Sequence, residues 1–425
     1  MNAARTPVVT ALANGVRVVW LPTPHLATAC ASVFVKSGSA HEPRMLAGIG
    51  HVIEHMAFKG TATRDARRIN LDAERHGAEV LAHTDKDHTA FQMRGLAEDA
   101  LEFVRMLGDI VRHPTFPADE LERERQVLLH EFAEVEDDPM DAAYRLFDHA
   151  CFGLHPAAQP VIGTRARIER LARADLLGYV QRQYTGANVV VGVAVAPQAA
   201  DAAAVRRAVE ECFGDMPAGT PHRVAPAAYR GDVRTRAISG SAQAHLLVGG
   251  ALAPLAADDP TGTLAAAVFG EGMSSPLLLR VREQRALAYH ATCAADVLDF
   301  CGQFVVEVST SCEGLDDCAR EVGALLRQHA RRVDAVDLER AKHQLRVRRL
   351  RAQEKPMQQL EEAALDLFTF GRVRPLDEQL ARLDALDAEA VRALFERLLA
   401  DGLSAVAVGQ VGRAAGERLR RALAG

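Results

Sequence analysis

The segment His51-Val52-Ile53-Glu54-His55 contains the residue types needed for metal-assisted hydrolysis. On a helix, positions three and four residues apart share one face, so the two imidazoles and the carboxylate would point the same way. Two histidines at i and i+4 can bind one metal ion, and Glu54 could then act on a metal-activated water without being a ligand. The alternative is a surface helix with two solvated histidines, because a chain with 16 histidines can place two of them four apart by chance.

A catalytic zinc ion usually has three protein ligands, so two histidines need a third. Glu124 and Glu131 are two helical turns apart on a helix that we predict from Asp119 to about Val135, and they therefore share a face. Asp119 with Glu122 resembles a capping box at the start of this helix. The helix carries many carboxylates, so the spacing alone favours solvated glutamates over a metal ligand.

Length, charge and cysteine content restrict the class of protein. A chain of 425 residues is too long for one hydrophobic core, which favours two domains. The net charge of -6 gives no basic surface for nucleic acid, and no apolar run approaches the roughly 18 residues of a membrane span. The first residues contain no apolar signal segment, and the seven cysteines are scattered without a C-x-x-C pair. These features predict a cytoplasmic protein without nucleic-acid or membrane partners.

The order of strand and helix signals repeats in the two halves of the chain. We predict two duplicated α+β domains, 1–214 and 233–425, each a mostly antiparallel sheet backed by helices and joined by a linker rich in proline and glycine. Asn14-Gly15 should close a β-hairpin, and a third strand at Ala29–Lys36 should extend it into an antiparallel meander.

The helix that carries the two histidines should run from Leu46 to Phe58, with Gly60 as its C-terminal glycine cap. Gly48 and Gly50 near its start weaken the helix by about 1 kcal/mol each relative to alanine. They indicate either a frayed helix start or the close approach of another backbone segment.

Further motifs occur in order along the chain. They are Gly38-Ser39-Ala40-His41-Glu42-Pro43, His55-Met56-Ala57-Phe58-Lys59-Gly60-Thr61, Glu124 to Glu131, Asp137-Asp138-Pro139, His155-Pro156 and Ile162-Gly163-Thr164. Over essentially its whole length the chain resembles the pitrilysin family of metallopeptidases. The resemblance is to its short-chain branch, with mitochondrial processing peptidase and its bacterial relatives.

The resemblance implies a role for each residue of the first motif. His51, His55 and Glu131 match the family's zinc ligands, which implies one zinc ion per chain. Glu54 matches the general base, and Glu124 matches a glutamate that supports the site without binding the metal. Domain 1–214 would then be the zinc-binding catalytic domain, and domain 233–425 the homologous substrate-binding domain.

The second half contains an arginine and a tyrosine, Arg282 and Tyr289, that resemble a pair which contacts substrate near the scissile bond in this family. A surface arginine and an ordinary strand tyrosine are the alternative, and Arg280 and Arg285 are rival arginines. Leu81 departs from the family pattern, because relatives usually have an asparagine there that helps to hold substrate beside an edge strand.

The resemblance implies a zinc-dependent metalloendopeptidase, a hydrolase that cleaves peptides or unfolded segments with Glu54 as general base. The alternatives are a dedicated leader-peptide maturase and a non-catalytic peptide-binding subunit of a heterodimer. We expect a homodimer in which Arg282 and Tyr289 of one subunit face the zinc ion of the other, with a heterodimer as the main competitor. The chain has no G-x-S-x-G motif, no P-loop and no paired redox cysteines, so nothing in it supports an α/β-type serine hydrolase, a P-loop nucleotide enzyme or a thiol oxidoreductase.

Overall fold

The computed structural model describes residues 7–199 and 201–424. The described chain forms two compact units, each containing one β-sheet. Unit 1 takes its residues from Met1–Phe132, Gln159–Val224 and Arg351–Arg374, and unit 2 from Ala133–Ala158, Ala225–Leu350 and Pro375–Gly425. Within the described ranges no helix is both long and apolar enough to cross a membrane. The predicted catalytic and substrate-binding domains, and the predicted compartment, stay predictions.

The strands of the two sheets are named here in chain order. They are β1 (Val8–Ala11), β2 (Arg17–Pro22), β3 (Thr28–Val35), β4 (Glu79–Thr84), β5 (Thr89–Leu96), β6 (Val189–Val195), β7 (Val233–Ala237), β8 (Gln243–Leu252), β9 (Ala288–Val297), β10 (Gly302–Ser311) and β11 (Ser404–Gly409).

The helices are named in the same way. They are α1 (Ile49–Ala57), α2 (Ala66–Arg75), α3 (Ala100–Arg112), α4 (Ala118–Asp137), α5 (Pro139–Phe152), α6 (Arg165–Ile168), α7 (Arg173–Gln183), α8 (Ala202–Phe213), α9 (Thr261–Gly270), α10 (Pro276–Leu278, continued by a wider helical turn at Leu279–Gln284), α11 (Leu315–Arg331), α12 (Ala335–Ala352), α13 (Pro356–Phe370), α14 (Leu376–Ala385), α15 (Ala388–Ala400) and α16 (Ala415–Ala424).

The two sheets share one strand arrangement. The first has the order β1-β2-β6-β3-β5-β4 and the second has the order β7-β11-β8-β10-β9. In each sheet a single pair is parallel, β2 with β6 and β7 with β11, and every other pair is antiparallel. Without β1, the first order corresponds strand for strand to the second. The predicted α+β class with mostly antiparallel sheets backed by helices is confirmed.

The predicted meander is only half right. The hairpin at Asn14-Gly15 joins β1 to β2, and Gly15 has the positive φ of 92° that favours glycine. The strand β3 does not pair with β2, however, because β6 lies between them and pairs with both. The valine-rich β6 is buried on both faces, which suits an interior strand of the sheet.

Each sheet is covered on one face by a helix from the other half of the sequence. In unit 1, Leu360 and Leu367 of α13 pack with Val19, Phe34 and Val190. In unit 2, α5 packs against β7, β8 and β11. Glycines permit this contact, since a Cβ at Gly192 would meet Leu360 and one at Gly249 would meet Phe147, each at 3.0 Å.

Three local predictions about helix ends are wrong. The helix α1 begins at Ile49 rather than Leu46, and its C-cap is Phe58, while Gly60 lies beyond the helix and forms a bridge with Asp65. Asp119 lies inside α4 and forms an ion pair with Arg123 instead of a capping box.

Candidate metal centre

A buried glutamate and a glycine fix the start of α1. Glu42 accepts hydrogen bonds from the backbone N–H groups of Gly48 at 2.6 Å and Gly50 at 2.7 Å, which would otherwise lack intrahelical partners. Gly48 has φ 93°, and a Cβ there would lie 2.9 Å from Cα of Gly163. Of the two interpretations of these glycines, the structure therefore supports close approach of a second backbone segment at Gly48. The contact sets where the first turn of α1, and so His51, begins.

The helix places the two histidines beside Glu131 of α4. The ring centroids of His51 and His55 are 4.7 Å apart and the rings meet nearly edge to face. His51 Nε2 lies 3.5 Å from one carboxylate oxygen of Glu131, and His55 Nε2 lies 3.5 Å from the other. One ligand atom from each of the three residues falls within 4.8 Å of the other two.

This donor set fits zinc. Two imidazole nitrogens and a carboxylate oxygen are ligands that catalytic zinc sites use, with a fourth position left open. Bonds of about 2.0 to 2.1 Å in a tetrahedral site separate neighbouring ligand atoms by about 3.3 Å. The observed nitrogen–oxygen distances of 3.5 Å are close to that separation. His51, His55 and Glu131 could therefore hold the metal with little movement.

Glu124 and Lys59 support His55 from the side away from this donor set. His55 Nδ1 donates to Glu124 Oε1 at 2.9 Å, which leaves Nε2 for the metal, and Lys59 Nζ lies 2.6 Å from Glu124 Oε2. Burial raises the pKa of Glu124, but Lys59 and His55 outweigh that effect and hold the pKa below its usual value. The carboxylate therefore stays ionised and can orient the imidazole.

Electrostatics at His51 follow from the surrounding carboxylates. Burial lowers the pKa of His51, but the hydrogen bond and charge of Glu131, with the charges of Glu54 and Glu42, outweigh it and raise the pKa. A centre with this much negative charge favours a cation. Glu54 itself is half-buried on α1, one turn from His51, and stands outside the three-residue donor set.

Arg282 and Tyr289 meet each other in unit 2. The guanidinium carbon of Arg282 lies 4.9 Å from the centroid of the Tyr289 ring, and the tyrosine is 83% exposed. The rival arginines Arg280 and Arg285 both form ion pairs with Glu321, at 3.1 and 3.0 Å. Arg282 is thus the arginine of the three that stacks on Tyr289, and the pair helps to line a pocket of ≈ 530 Å³.

Leu81 lies on β4, which is the edge strand of the first sheet. Its side chain is 41% exposed. An edge strand presents unpaired backbone groups to which an extended peptide can add. The strand therefore retains the backbone geometry for such pairing, while the leucine supplies no polar side-chain contact.

Two family models match successive parts of the chain. The model described as insulinase, peptidase family M16, matches residues 17–165, and that described as the peptidase M16 inactive domain matches residues 170–345. A zinc protease of Mycobacterium tuberculosis is 30% identical over 417 residues, which span 96% of this chain and 94% of that protein.

The chain belongs to peptidase family M16. The mitochondrial-processing peptidase subunit beta of Blastocladiella emersonii is 28% identical and covers 97% of the chain and 90% of its own length, which places the chain in the short-chain branch of the M16 family. Two solved structures share the fold, each with a TM-score of 0.85. One is a peptidase M16 inactive domain from Pseudomonas fluorescens, 20% identical, covering 96% of this chain and 98% of that one. The other is a Helicobacter pylori protease, 18% identical, covering 95% and 99%.

Membership of family M16 supports a zinc metallopeptidase, a hydrolase. The model named as inactive matches the second half, and the three residues of the candidate metal centre lie in the part that the insulinase model matches. Sequence reasoning assigned no role to Lys59 or Glu42, although both stand in the motifs of the resemblance. Their presence in those motifs was the only sequence signal for a role. Their contacts with Glu124, Gly48 and Gly50 appear only in the folded structure.

Proposed function

We propose that this protein is a zinc-dependent endopeptidase that cleaves peptides or unfolded segments, with one catalytic zinc ion per chain. The observation that carries the proposal is the convergence of His51 and His55 of α1 with Glu131 of α4, with Glu54 on α1 between the two histidines. That convergence favours a catalytic subunit over a non-catalytic peptide-binding one. A leader-peptide maturase would use the same chemistry, and that choice of substrate stays a prediction.

His51, His55 and Glu131 would hold the zinc ion, with Glu124 keeping His55 in orientation. Zinc, when bound, polarises the scissile carbonyl and lowers the pKa of water at the site to about 7. The Glu54 carboxylate accepts the proton of the attacking water and delivers it to the leaving amine.

The remaining groups bind the substrate. The substrate backbone pairs with the edge strand β4, so backbone hydrogen bonds provide affinity and neighbouring pockets provide preference. Arg282 and Tyr289 of a second subunit would donate hydrogen bonds to the carbonyl oxygen as it gains negative charge. Leu81 has no side-chain amide to hydrogen-bond the substrate, so its side chain can offer only apolar contacts at that position.

Replacing Glu54 by glutamine tests the proposal. Glu54→Gln removes the base and leaves the three ligands, so bound zinc should stay at the wild-type level while peptide cleavage falls by roughly 10² to 10⁴. The measurements are zinc per chain by elemental analysis and turnover of a quenched peptide library, with cleavage sites read by mass spectrometry.

Glu134→Gln is the matched control, because it changes an exposed glutamate of α4 and should alter neither quantity. Near-normal turnover by zinc-loaded Glu54→Gln would refute the role of Glu54. Wild-type protein that is purified without chelator and contains no zinc would refute the metal centre itself.

A further inference from the structure

A second group of two histidines and one glutamate lies in unit 1, outside the candidate metal centre. His83 Nε2 is 3.1 Å, and His88 Nε2 is 3.2 Å, from the same oxygen of Glu361. The two imidazole rings are nearly perpendicular, with centroids 5.4 Å apart. His83 is on the edge strand β4, His88 immediately precedes β5, and Glu361 is on α13. The three side chains therefore join two parts of the chain that are far apart in sequence.

Asp87 holds one of these histidines in place. His88 Nδ1 donates to Asp87 Oδ1 at 2.7 Å, and the His88 side chain is only 3% exposed. In the neutral imidazole with the proton on Nδ1, this bond leaves the lone pair of Nε2 directed at the cluster. A carboxylate behind a histidine in this manner is the usual outer support of a metal-binding imidazole.

The cluster repeats the chemistry of the candidate metal centre. Each has two imidazole Nε2 atoms, one glutamate and a carboxylate bonded to Nδ1 of one histidine, Asp87 here and Glu124 there. The distances of 3.1 and 3.2 Å approach the ligand separation of about 3.3 Å in a tetrahedral zinc site. The side chains of His83 and Glu361 are 39% and 30% exposed, so a hydrated ion can reach them.

We propose that His83, His88 and Glu361 form a second binding site for a divalent transition-metal ion of the zinc type, oriented by Asp87. The nitrogen and oxygen donors suit zinc better than calcium or magnesium, which prefer oxygen ligands alone. A metal ion here links α13 to the β4–β5 hairpin and so stabilises unit 1. Its role is structural, and its binding can be measured without the proposed peptidase activity.

The competing interpretation is a metal-free ion-pair cluster. Without metal, burial lowers the pKa of His88, but Asp87 and Glu361 raise it to about 10, which makes a protonated His88 between two carboxylates a stable arrangement. The two interpretations differ in how much zinc the protein binds. Stoichiometry therefore separates them directly.

The experiment is a zinc titration of the full-length protein after chelator treatment and dialysis. Wild-type protein should bind two zinc ions per chain, and His83→Ala and Glu361→Gln should each bind one. Glu362→Gln is the matched control on α13, since Glu362 accepts a hydrogen bond from Gln358, and it should still bind two. Asp87→Asn should weaken the second binding step by about 10- to 100-fold, as loss of an outer support does.

Thermal unfolding with added zinc gives a second measurement. Glu131→Gln should lose the first site and keep a zinc-dependent rise in Tm, while Glu361→Gln should lose the part of the rise that comes from the second site. One zinc ion in the wild type that is lost in Glu131→Gln would overturn this proposal while leaving the catalytic one intact. Two zinc ions in His83→Ala or Glu361→Gln would also overturn it, because the second ion would then bind elsewhere.

Discussion

At the scale of single residues, the candidate metal centre depends on groups outside the three proposed ligands. Glu124 bridges His55 and Lys59, so one carboxylate fixes the histidine orientation and is itself fixed by a cation. Its side chain is nearly buried, and its partners supply the hydrogen bonds that burial removes from water. The orientation of the His55 imidazole is therefore set by a residue of α4, a helix that is distant from α1 in sequence.

We predict that Glu124→Gln weakens zinc binding by about 10- to 100-fold, because the neutral amide supports the imidazole less well and leaves Lys59 without its charged partner. Competition with a chromogenic chelator measures the zinc affinity. At saturating zinc, peptide cleavage should recover substantially, since no ligand is lost.

Glu120→Gln provides the control for Glu124→Gln. Glu120 forms an exposed ion pair with Arg123 on the same helix, and its replacement should leave zinc affinity unchanged. Equal affinities for Glu124→Gln and the wild type would show that Glu124 has no part in orienting His55.

The sequence predicts the residues of the centre better than the contacts around it. His51, Glu54 and His55 follow from helical spacing, because positions i, i+3 and i+4 share a face whatever the tertiary structure. Glu131 was selected by family resemblance, since α4 carries many glutamates with similar spacing. The bonds of Lys59 and Glu42 cross between elements, and no local pattern encodes them.

At the scale of elements, the start of α1 depends on the backbone of Gly48. Its φ of 93° is unfavourable for other residues, and the Gly163 backbone leaves no room for a side chain. The helix position is thus set by contact between two glycines, with Glu42 capping the exposed N–H groups.

We predict that Gly48→Ala destabilises the protein by roughly 1 to 3 kcal/mol, through backbone strain and the close contact together. Zinc content should fall as well, since the shift reaches His51 within one turn. Calorimetric Tm and bound zinc per chain are the measurements.

Gly402→Ala separates the effect of backbone strain from the effect of the close contact with Gly163. Gly402 also has a positive φ, 81°, but a Cβ there meets nothing within 4 Å, so this change reports strain alone. We expect a smaller loss of Tm and no loss of zinc. Equal effects at the two glycines would mean that the contact with Gly163 does not matter.

Pro356, which cannot supply a backbone N–H inside a helix, marks the break between α12 and α13. The helices α5, α6 and α16 were not predicted from the sequence. A local signal for α5 did exist, because Asp138 caps its N-terminus and Pro139 occupies its first turn. Pairing of β6 between β2 and β3 is a non-local contact, and hydrophobic periodicity carries no information about which strands become neighbours.

At the scale of the whole molecule, the two sheets have one topology and different chemistry. The candidate metal centre lies in unit 1, and the Arg282–Tyr289 pair lies in unit 2. The exposed Tyr289 ring is available to a partner molecule. A homodimer with two symmetric sites would bring the two features together between subunits, as predicted from the sequence.

We predict that an inactive Glu54→Gln chain and an inactive Tyr289→Phe chain recover activity when mixed. Random exchange at equal amounts makes half of the dimers mixed, each with one intact site, so about a quarter of wild-type activity should return. Peptide cleavage measures the recovery, and subunit exchange is verified with differently labelled chains.

A mixture of Glu54→Gln with Glu131→Gln is the control for complementation. Both changes affect the same metal centre, so no arrangement of these subunits restores a complete site. Recovery in this control, absence of recovery in the test mixture despite exchange, or full activity in a monomer would each contradict the shared-site dimer. A heterodimer with a related chain remains the competitor.

The exchange of covering helices imposes an order on folding during synthesis. About 160 residues separate the end of β6 from the start of α13. The ribosome needs on the order of ten seconds to synthesise them, and during that time the covering helix of the first sheet is absent. Through that interval Val19, Phe34 and Val190 lack the contacts of Leu360 and Leu367. The order of synthesis is reversed for the second sheet, because the covering helix α5 leaves the ribosome before any strand that it covers. The nascent N-terminal half is therefore the part most exposed to aggregation and most in need of a chaperone.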